Sequence, residues 1–316
     1  MKKNGFLFNV YKQLSLDSVT HRYIAENMDE FIELDEQGLL DLQQCLLGML
    51  KDIDAACRQF GIEYAITGGN VLGKVRHNGF IPWDDDIDLV MPRADYEKFM
   101  KVFDETPLKD RYILRAPGYK GGADFRCMKI YKKDSYMELA FHKKNVQRKI
   151  FIDVMPFDDV PVSRLHRSIK NIYCDFLIVV LGCIDIKKNF DDALKKELKK
   201  TALGKFNYYF RAFWGTIFGV IPQSKWYALY NKAPQYKHKT GFGTVYNGKL
   251  LYKGEIVPCE YYLPFHDCDY CGVQTKIINQ PETYLQFRYG DYKTIPDRAH
   301  RETHIVKRID VGRAER

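Results

Sequence analysis

The stretch TGGNVLGKVRHNGFIPWDDDIDLVMPR, residues 67–93, places several like charges directly before an apolar run. Its four aspartates are Asp84, Asp85, Asp86 and Asp88. Alternate side chains of a strand share a face, so Asp86 and Asp88 should point to one side while Ile87 packs inward. Two unpaired carboxylates repel each other, whereas a divalent cation neutralises both. A solvated acidic loop is the alternative, but the interleaved apolar residues favour a metal site beside a buried strand.

A third acid, Asp153, lies in KIFIDVMPF, residues 149–157, where apolar neighbours predict a second buried strand. An interior carboxylate is costly unless it is paired or binds a metal ion. The alternative is an aspartate at a strand end that bonds the turn before Pro156. Three acids from two strands are typical of sites where metal ions assist phosphoryl transfer.

A glycine pair, Gly68 and Gly69, follows the apolar YAIT and precedes a helix-like run. Glycines allow close approach of the backbone, and the first N–H groups of a helix attract anions. Lys74 and Arg76 add positive charge to the same helix. The arrangement of strand, glycine pair and helix predicts a phosphate site next to the acids.

Composition bounds the class of protein. At 316 residues and 46% hydrophobic content, the chain can bury a sizeable core. Its net charge of +8 favours phosphates, acidic glycans or an anionic membrane, and no module for nucleic-acid binding is recognisable. Eight scattered cysteines do not resemble a secreted disulfide scaffold, and no apolar run is long enough to cross a bilayer. We expect a cytoplasmic protein, with the inner face of the cell membrane included as a location.

Hydrophobic periodicity predicts the organisation of the chain. Residues 36–60 should form an amphipathic helix that ends at Gly61, followed by strand, glycine turn, helix and strand. Short strands are predicted in RYILRAP, FRCMKIYKK and KIFIDVMPF, and residues 162–233 become helical and aromatic. The predicted fold class is α+β, a mixed β-sheet core flanked by helices with an inserted helical subdomain. The predicted divisions are an N-terminal extension (1–35), a catalytic core (36–161), the helical subdomain (162–233) and a C-terminal part completing the site (234–316).

The order of strand, Gly-Gly, helix and Asp-x-Asp resembles the nucleotidyltransferase superfamily, and residues 67–99 are similar to the LicD family within it. Two later blocks carry the same resemblance, KIFIDVMPFDDVP and YLQFRYGDYKTIPDRAHRETH. It spans about residues 36–305. The family comprises phosphorylcholine and related phosphotransferases of bacterial surface glycans, with fukutin-related proteins as eukaryotic relatives. Asn70 departs from it, because threonine or serine is expected there; we expect Asn70 to cap the helix instead.

The resemblance implies roles for individual residues. Asp86, Asp88 and Asp153 are the implied ligands of Mg²⁺ or Mn²⁺, and Asp84 is the further catalytic candidate, supporting a metal-bound water or orienting the acceptor. For His77 and His304, a structural role is the alternative. The implied substrate-binding residues are Gly68, Gly69, Asn70, Lys74, Arg76, His77, Trp83, Asp85, Tyr289, Asp291 and His304.

The reaction implied by the resemblance is transfer of a phospho-alcohol, first of all phosphocholine from CDP-choline, onto a sugar hydroxyl with release of CMP. The acceptor would be a surface glycan such as lipopolysaccharide, teichoic acid or capsule, or its lipid-linked precursor. One alternative is a nucleotidyltransferase that moves a nucleoside monophosphate from an NTP. A remote alternative is an EF-hand-like calcium module, because Asp84, Asp86 and Asp88 fit positions 1, 3 and 5, but Leu89 stands where that loop requires glycine.

Two segments leave further alternatives. Cys259, His266, Cys268 and Cys271 lack a second C-x-x-C pair, so we expect an ordinary loop and no zinc. Residues 203–221 group aromatic residues on one side of a predicted helix, with Lys205 and Arg211 alongside. This pattern suits a membrane surface that holds a lipid-linked glycan, or else a core helix of the subdomain.

Overall fold

The computed structural model describes residues 34–120, 126–139, 147–190, 192–246, 248, 251–297 and 306–312. The helices are α1 Glu36–Phe60, α2 Gly68–His77, α3 Arg93–Val102, α4 Leu108–Arg111, α5 Arg164–Lys188, α6 Asp192–Leu198, α7 Ala202–Phe218, α8 Gln223–Lys232, α9 Leu251–Gly254 and α10 Pro281–Tyr289. The strands are β1 Ala65–Ile66, β2 Asp88–Pro92, β3 Tyr112–Arg115, β4 Met128–Lys132, β5 Tyr136–Leu139, β6 Phe151–Asp159, β7 Phe242–Thr244, β8 Val257–Pro258, β9 His266–Tyr270, β10 Val273–Ile277 and β11 Val306–Asp310.

One mixed sheet organises the core. Its strand order is β3-β4-β6-β2-β1-β10-β9, with β7 and β8 continuing from the end of β6. The pairs β2/β6 and β1/β10 are parallel, and the other pairs along this path are antiparallel. A separate pair joins β11 to β5. The predicted α+β class, with a mixed sheet flanked by helices, is confirmed.

Helix α1 covers one side of this sheet, and its start, its end and its buried stripe each follow from particular residues. The Asp35 side chain accepts a hydrogen bond from the Gly38 N–H at 2.7 Å, which caps the helix, and Gly61 ends it at a φ of 57°. The predicted stripe is buried at Leu42, Leu46 and Ile53. Burial of this stripe against the sheet builds the main hydrophobic core.

The segment between β6 and β7 is helical, as predicted, and has a core of its own. Leu177 and Leu181 of α5 pack with Tyr227 and Tyr230 of α8 in a hydrophobic cluster separate from that of the sheet. Arg93 of α3 links the two parts: it pairs with Asp158 of β6 through two hydrogen bonds and donates a third to Asn231 of α8. The exact division into domains stays a prediction.

Helix α7 packs against α5 along one side and exposes the other. Only Asn207 and Gly215 among its residues are buried. The alternative of a core helix at residues 203–221 is therefore wrong, because its large apolar side chains face outward. Within the described ranges, no helix combines the length and apolar character that crossing a bilayer requires.

Candidate active site

Three charged side chains lie side by side across neighbouring strands. Asp88 opens β2, Asp153 of β6 is its parallel neighbour, and Lys129 of β4 is the antiparallel neighbour of Asp153. Neighbouring residues in register project to the same face of a sheet. The residues next to each acid, Leu89 and Val154, are completely buried on the opposite face. The alternation holds from Asp88 onward and brings Asp88 and Asp153 together, whereas Asp86 precedes β2, so its sharing of a face with Asp88 stays a prediction.

Lys129 was not predicted, although it lies at the centre of this row. Its Nζ is 2.5 Å from Asp153 Oδ1 and 3.6 Å from the centre of the Phe151 ring. Burial by itself would lower the pKa of Lys129, but the charge of Asp153, and more weakly those of Cys127 and Asp88, raise it overall. The ammonium therefore stays charged and offsets the acids. The sequence feature that could have revealed Lys129 is its place on the polar face of the alternating strand MKIYK.

Asn70 fixes the backbone that presents two of the acids. Its buried side chain accepts a hydrogen bond from the Asp88 N–H at 2.6 Å and donates to the Asp86 carbonyl at 3.0 Å. The prediction that Asn70 caps α2 is wrong: Thr67 occupies the N-cap position, and the Asn70 amide bonds across to the acidic loop instead. Asn70 therefore fixes the loop before β2 and not the end of the helix.

The glycine pair allows the first turn of α2 to approach the acids. Gly68 has a φ of +59°, and a Cβ there would stand 3.5 Å from Asp88 Oδ2; a Cβ on Gly69 would stand 3.5 Å from Asp84 Oδ2. The Asp84 carbonyl also accepts a hydrogen bond from Gln43 of α1 at 2.8 Å. Carboxylates at a helix N-terminus are favoured by its dipole. A phosphate near these amides would meet the same carboxylates, so a cation between them would favour its binding.

The basic residues of α2 lie in its last turn. Lys74 is about 9 Å along the helix axis from Gly68 at the usual rise per residue, and its Nζ donates to Asn78 at 2.7 Å. Arg76 donates to the Tyr292 carbonyl at 2.9 Å. Phosphate binding by Lys74 and Arg76 stays a prediction; in this structure Arg76 ties α2 to the segment after α10.

Aromatic and polar side chains surround the acidic loop. The His77 and Trp83 rings meet edge to face at 6.3 Å, and desolvation, assisted by Arg76, lowers the pKa of His77. Asp85 is half-buried in the loop before β2. Tyr270 is fully buried and lies 3.4 Å from the Asn70 amide.

The segment after α10 was predicted to complete the site. Desolvation raises the pKa of Tyr289 to about 12, with a minor contribution from the charge of Asp88. Asp291 instead accepts a hydrogen bond from Thr294 Oγ1 at 2.6 Å. His304 lies outside the described residues.

The carboxylate oxygens of this site are the kind of ligand that a hard cation prefers. Asp86 and Asp88 offer carboxylate oxygens, and Gly68 leaves room beside the Asp88 carboxylate. Asp153, however, is bound to Lys129, and no group of three or more His, Cys, Asp or Glu side chains in the described ranges has a metal-holding arrangement. A magnesium-type ion held by Asp86 and Asp88 therefore stays a prediction, as does the three-acid set.

The calcium-module alternative is wrong. Asp88 begins a strand that pairs with β1 and β6. Asp95, which would stand at position 12 of an EF-hand loop that starts at Asp84, lies in α3. These residues therefore do not form such a loop. Cys268 lies on β9, and Cys271 is exposed at the turn that follows.

The mixed sheet, the glycine turn and the row of acids define a nucleotidyltransferase-type protein. Comparison with known proteins agrees: residues 61–173 match the family model described as LicD/FKTN/FKRP, nucleotidyltransferase domain. Residues 61–173 are therefore a LicD-type nucleotidyltransferase domain.

Two similar proteins illustrate this relationship. The chain is 24% identical over 277 residues to the lipopolysaccharide cholinephosphotransferase LicD of Haemophilus influenzae, an alignment covering 85% of this chain and 96% of that protein. It is also 33% identical over 112 residues to an uncharacterized protein of Rickettsia typhi, covering 34% of this chain and 35% of that protein.

Proposed function

We propose that this protein is a phosphotransferase that moves phosphocholine from CDP-choline onto a sugar hydroxyl of a surface glycan or its precursor. The observation that carries the proposal is the similarity to almost the whole length of the Haemophilus cholinephosphotransferase. The row of Asp88, Asp153 and Lys129 supplies the charge pattern that such chemistry needs. We also infer a cytoplasmic location, which the eight free cysteines support.

The proposed reaction is a direct displacement. The acceptor oxygen forms a bond to the outer phosphorus of the donor, the bond from that phosphorus to the bridging oxygen breaks, and CMP leaves with the bond electrons. The acceptor hydroxyl loses its proton to a carboxylate of the site or to solvent. A phosphodiester remains on the glycan, and no covalent enzyme intermediate is required.

The chain's own residues would bind and orient the reactants. Asp86 and Asp88 would hold Mg²⁺ or Mn²⁺, which supplies charge neutralisation on the diphosphate when bound. The backbone at Gly68 and Gly69, which begins α2, lies beside the carboxylates of Asp88 and Asp84 and would offer helix N–H groups to a phosphate there. Lys129 holds Asp153 in position and adds a fixed positive charge that favours the anionic transition state.

A direct assay tests the proposal. The wild-type protein should release CMP from CDP-choline in the presence of magnesium and a glycan acceptor, and Asp88→Asn should reduce that release by about 100-fold or more because it deletes a charged ligand. Asp104→Asn is the matched control, since that aspartate is exposed and pairs with Lys120 and not with a residue of the row. Both variants should melt as single folded species.

A donor screen by thermal shift separates the rival reactions. CDP-choline, CDP-ribitol, CDP-glycerol and CTP are compared with magnesium present. A donor at 100 times its dissociation constant should add about 2.7 kcal/mol of stability. Stabilisation by CTP alone, with pyrophosphate as the product, would show that the reaction is nucleotidyl transfer and not phosphotransfer. Full activity of the folded Asp88→Asn variant would contradict the assignment of Asp88 to the active site.

A further inference from the structure

Large apolar side chains lie on the outward side of α7, and no element of the described ranges covers them. Phe206, Phe210 and Phe213 are 65%, 50% and 60% exposed. At 3.6 residues per turn, these three residues lie on one side of the helix together with Leu203 and Ile217, which are also exposed. An apolar stripe of this width normally faces a core, so its exposure calls for a partner.

The opposite side of α7 is the one that packs. A Cβ on Gly215 would lie 2.2 Å from the Cys183 carbonyl of α5, so the two helix backbones are in close approach there. The Phe176 ring of α5 meets Phe218 of α7 edge to face at 6.1 Å. The orientation of α7 is therefore set by this contact, which leaves the apolar stripe outside.

Helix α5 extends the same kind of surface. Its N-terminal half exposes apolar side chains at successive helical turns: Leu165, Ile169, Ile172, Phe176 and Val179. We name the exposed apolar residues of α5 and α7 the apolar face. A groove of about 360 Å³ adjoins it between α5 and α8, with Ile169, Tyr173 and Leu229 in its wall beside Lys170 and Lys232.

The charge of this region indicates what the apolar face meets. Residues 162–222 contain eleven lysines and arginines against five aspartates and glutamates, so they carry +6 of the chain's net charge of +8. Two of those acids, Asp185 and Glu197, are buried. Lys196 and Lys205 are exposed on α6 and on the flank of α7. Apolar side chains bordered by basic residues match an anionic lipid surface.

We propose that the apolar face docks on an anionic lipid bilayer, with α7 lying in the plane of the interface. Tyr209 and Trp214 are exposed beside the phenylalanines, and both residue types are favoured where apolar chains meet water. A second copy of the chain is a poorer occupant, because a two-fold contact would bring two such basic regions together. The proposal concerns binding and does not depend on the reaction.

Vesicle flotation tests the proposal. The full chain is mixed with vesicles of phosphatidylglycerol and phosphatidylcholine, or of phosphatidylcholine alone, at low and high salt. The wild type should float with the anionic vesicles, and this binding should weaken as salt screens the lysines. The variant Phe206→Ser/Phe210→Ser/Phe213→Ser should bind at least 10-fold more weakly, which corresponds to about 1.4 kcal/mol.

Two controls make the outcome specific. Leu40→Ser changes an exposed apolar residue of α1 outside the apolar face and should bind like the wild type. Lys196→Gln/Lys205→Gln should reduce binding at low salt only. Failure of the wild type to float with anionic vesicles would overturn the proposal, as would equal flotation by the triple serine variant. Dimerisation that the same serine changes abolish, without vesicle binding, would assign the face to a second copy instead.

Discussion

Lys129 is the residue whose removal should disturb the site most sharply while sparing the sheet. Lys129→Met keeps the length of the side chain but leaves the partly buried Asp153 carboxylate without its ammonium. We expect a loss of about 2 kcal/mol in the free energy of unfolding, together with a fall in turnover. Urea unfolding and CMP release measure the two effects. The double variant Lys129→Met/Asp153→Asn should recover stability but not activity; if it recovers neither, the ion pair is not the cause.

The pH dependence of Lys129 has a definite sign. Its pKa is raised in the folded protein, so its contribution to stability is complete below the unfolded value of about 10.4 and is lost as the pH rises above it. The stability difference between wild type and Lys129→Met should therefore be constant between about pH 6 and 9 and shrink at higher pH. A difference that grows with alkaline pH would contradict this ion pair.

Asn70 should be needed for the shape of the acidic loop. Asn70→Ala would leave the Asp88 N–H and the Asp86 carbonyl without their partner, at a cost of about 2 kcal/mol in stability. Asn70→Asp retains one acceptor but loses the donor and adds a charge next to two acids. Both variants should lose turnover more than Lys120→Gln, which changes an exposed ion pair with Asp104. Equal activity in all three would show that the loop holds its shape without Asn70.

Sequence reasoning reached the acids but not the residues that hold them. Asp86 and Asp88 stand out because charge alternates with apolar residues over a few positions. Lys129 becomes relevant only through the pairing of β4 with β6, and Asn70 only through a bond to a loop 16 residues away. Such contacts depend on register and on the packing of α2, neither of which a local pattern determines.

At the scale of elements, replacing each of two helical glycines with alanine should change the stability of the protein in opposite directions. In Gly73→Ala of α2, the new Cβ would lie 2.4 Å from the Gly79 carbonyl, which would force α2 away from the loop that leads to the acids. We expect a loss of about 1–3 kcal/mol. Gly48→Ala in α1 meets nothing within 4 Å and should gain about 0.5–1 kcal/mol. Thermal melts of both variants measure these two changes. A similar shift of the melting temperature in each would mean that α2 has room for a Cβ at Gly73.

The order of elements was predictable where periodicity is strong. Helix α1, its end at Gly61 and the strands β3, β4 and β6 all follow from patterns of apolar residues. The pairing of β1 with β10 did not, because a two-residue strand carries no period. The outward face of α7 was open to two interpretations, since an apolar stripe looks the same whether it meets a core or a lipid surface.

At the scale of the molecule, Arg93 should hold the helical segment to the sheet. Its guanidinium is paired with Asp158, whose side chain is 1% exposed, so Arg93→Met would leave a buried charge uncompensated. We expect a loss of about 3–5 kcal/mol in unfolding free energy. Lys120→Met, which breaks an exposed ion pair with Asp104, should leave stability unchanged. Equal denaturation midpoints for the two variants would contradict this role of Arg93.

The parallel pairing of β1 with β10 affects how the protein emerges from the ribosome. Strand β10 follows β1 by roughly 200 residues, which at about 5–20 residues per second is about 10–40 s of synthesis. During that time β1 can pair with β2 but its other edge has no strand to bind, and open edges invite pairing with foreign chains. The nascent chain should therefore need a chaperone at this edge until β10 has been synthesised.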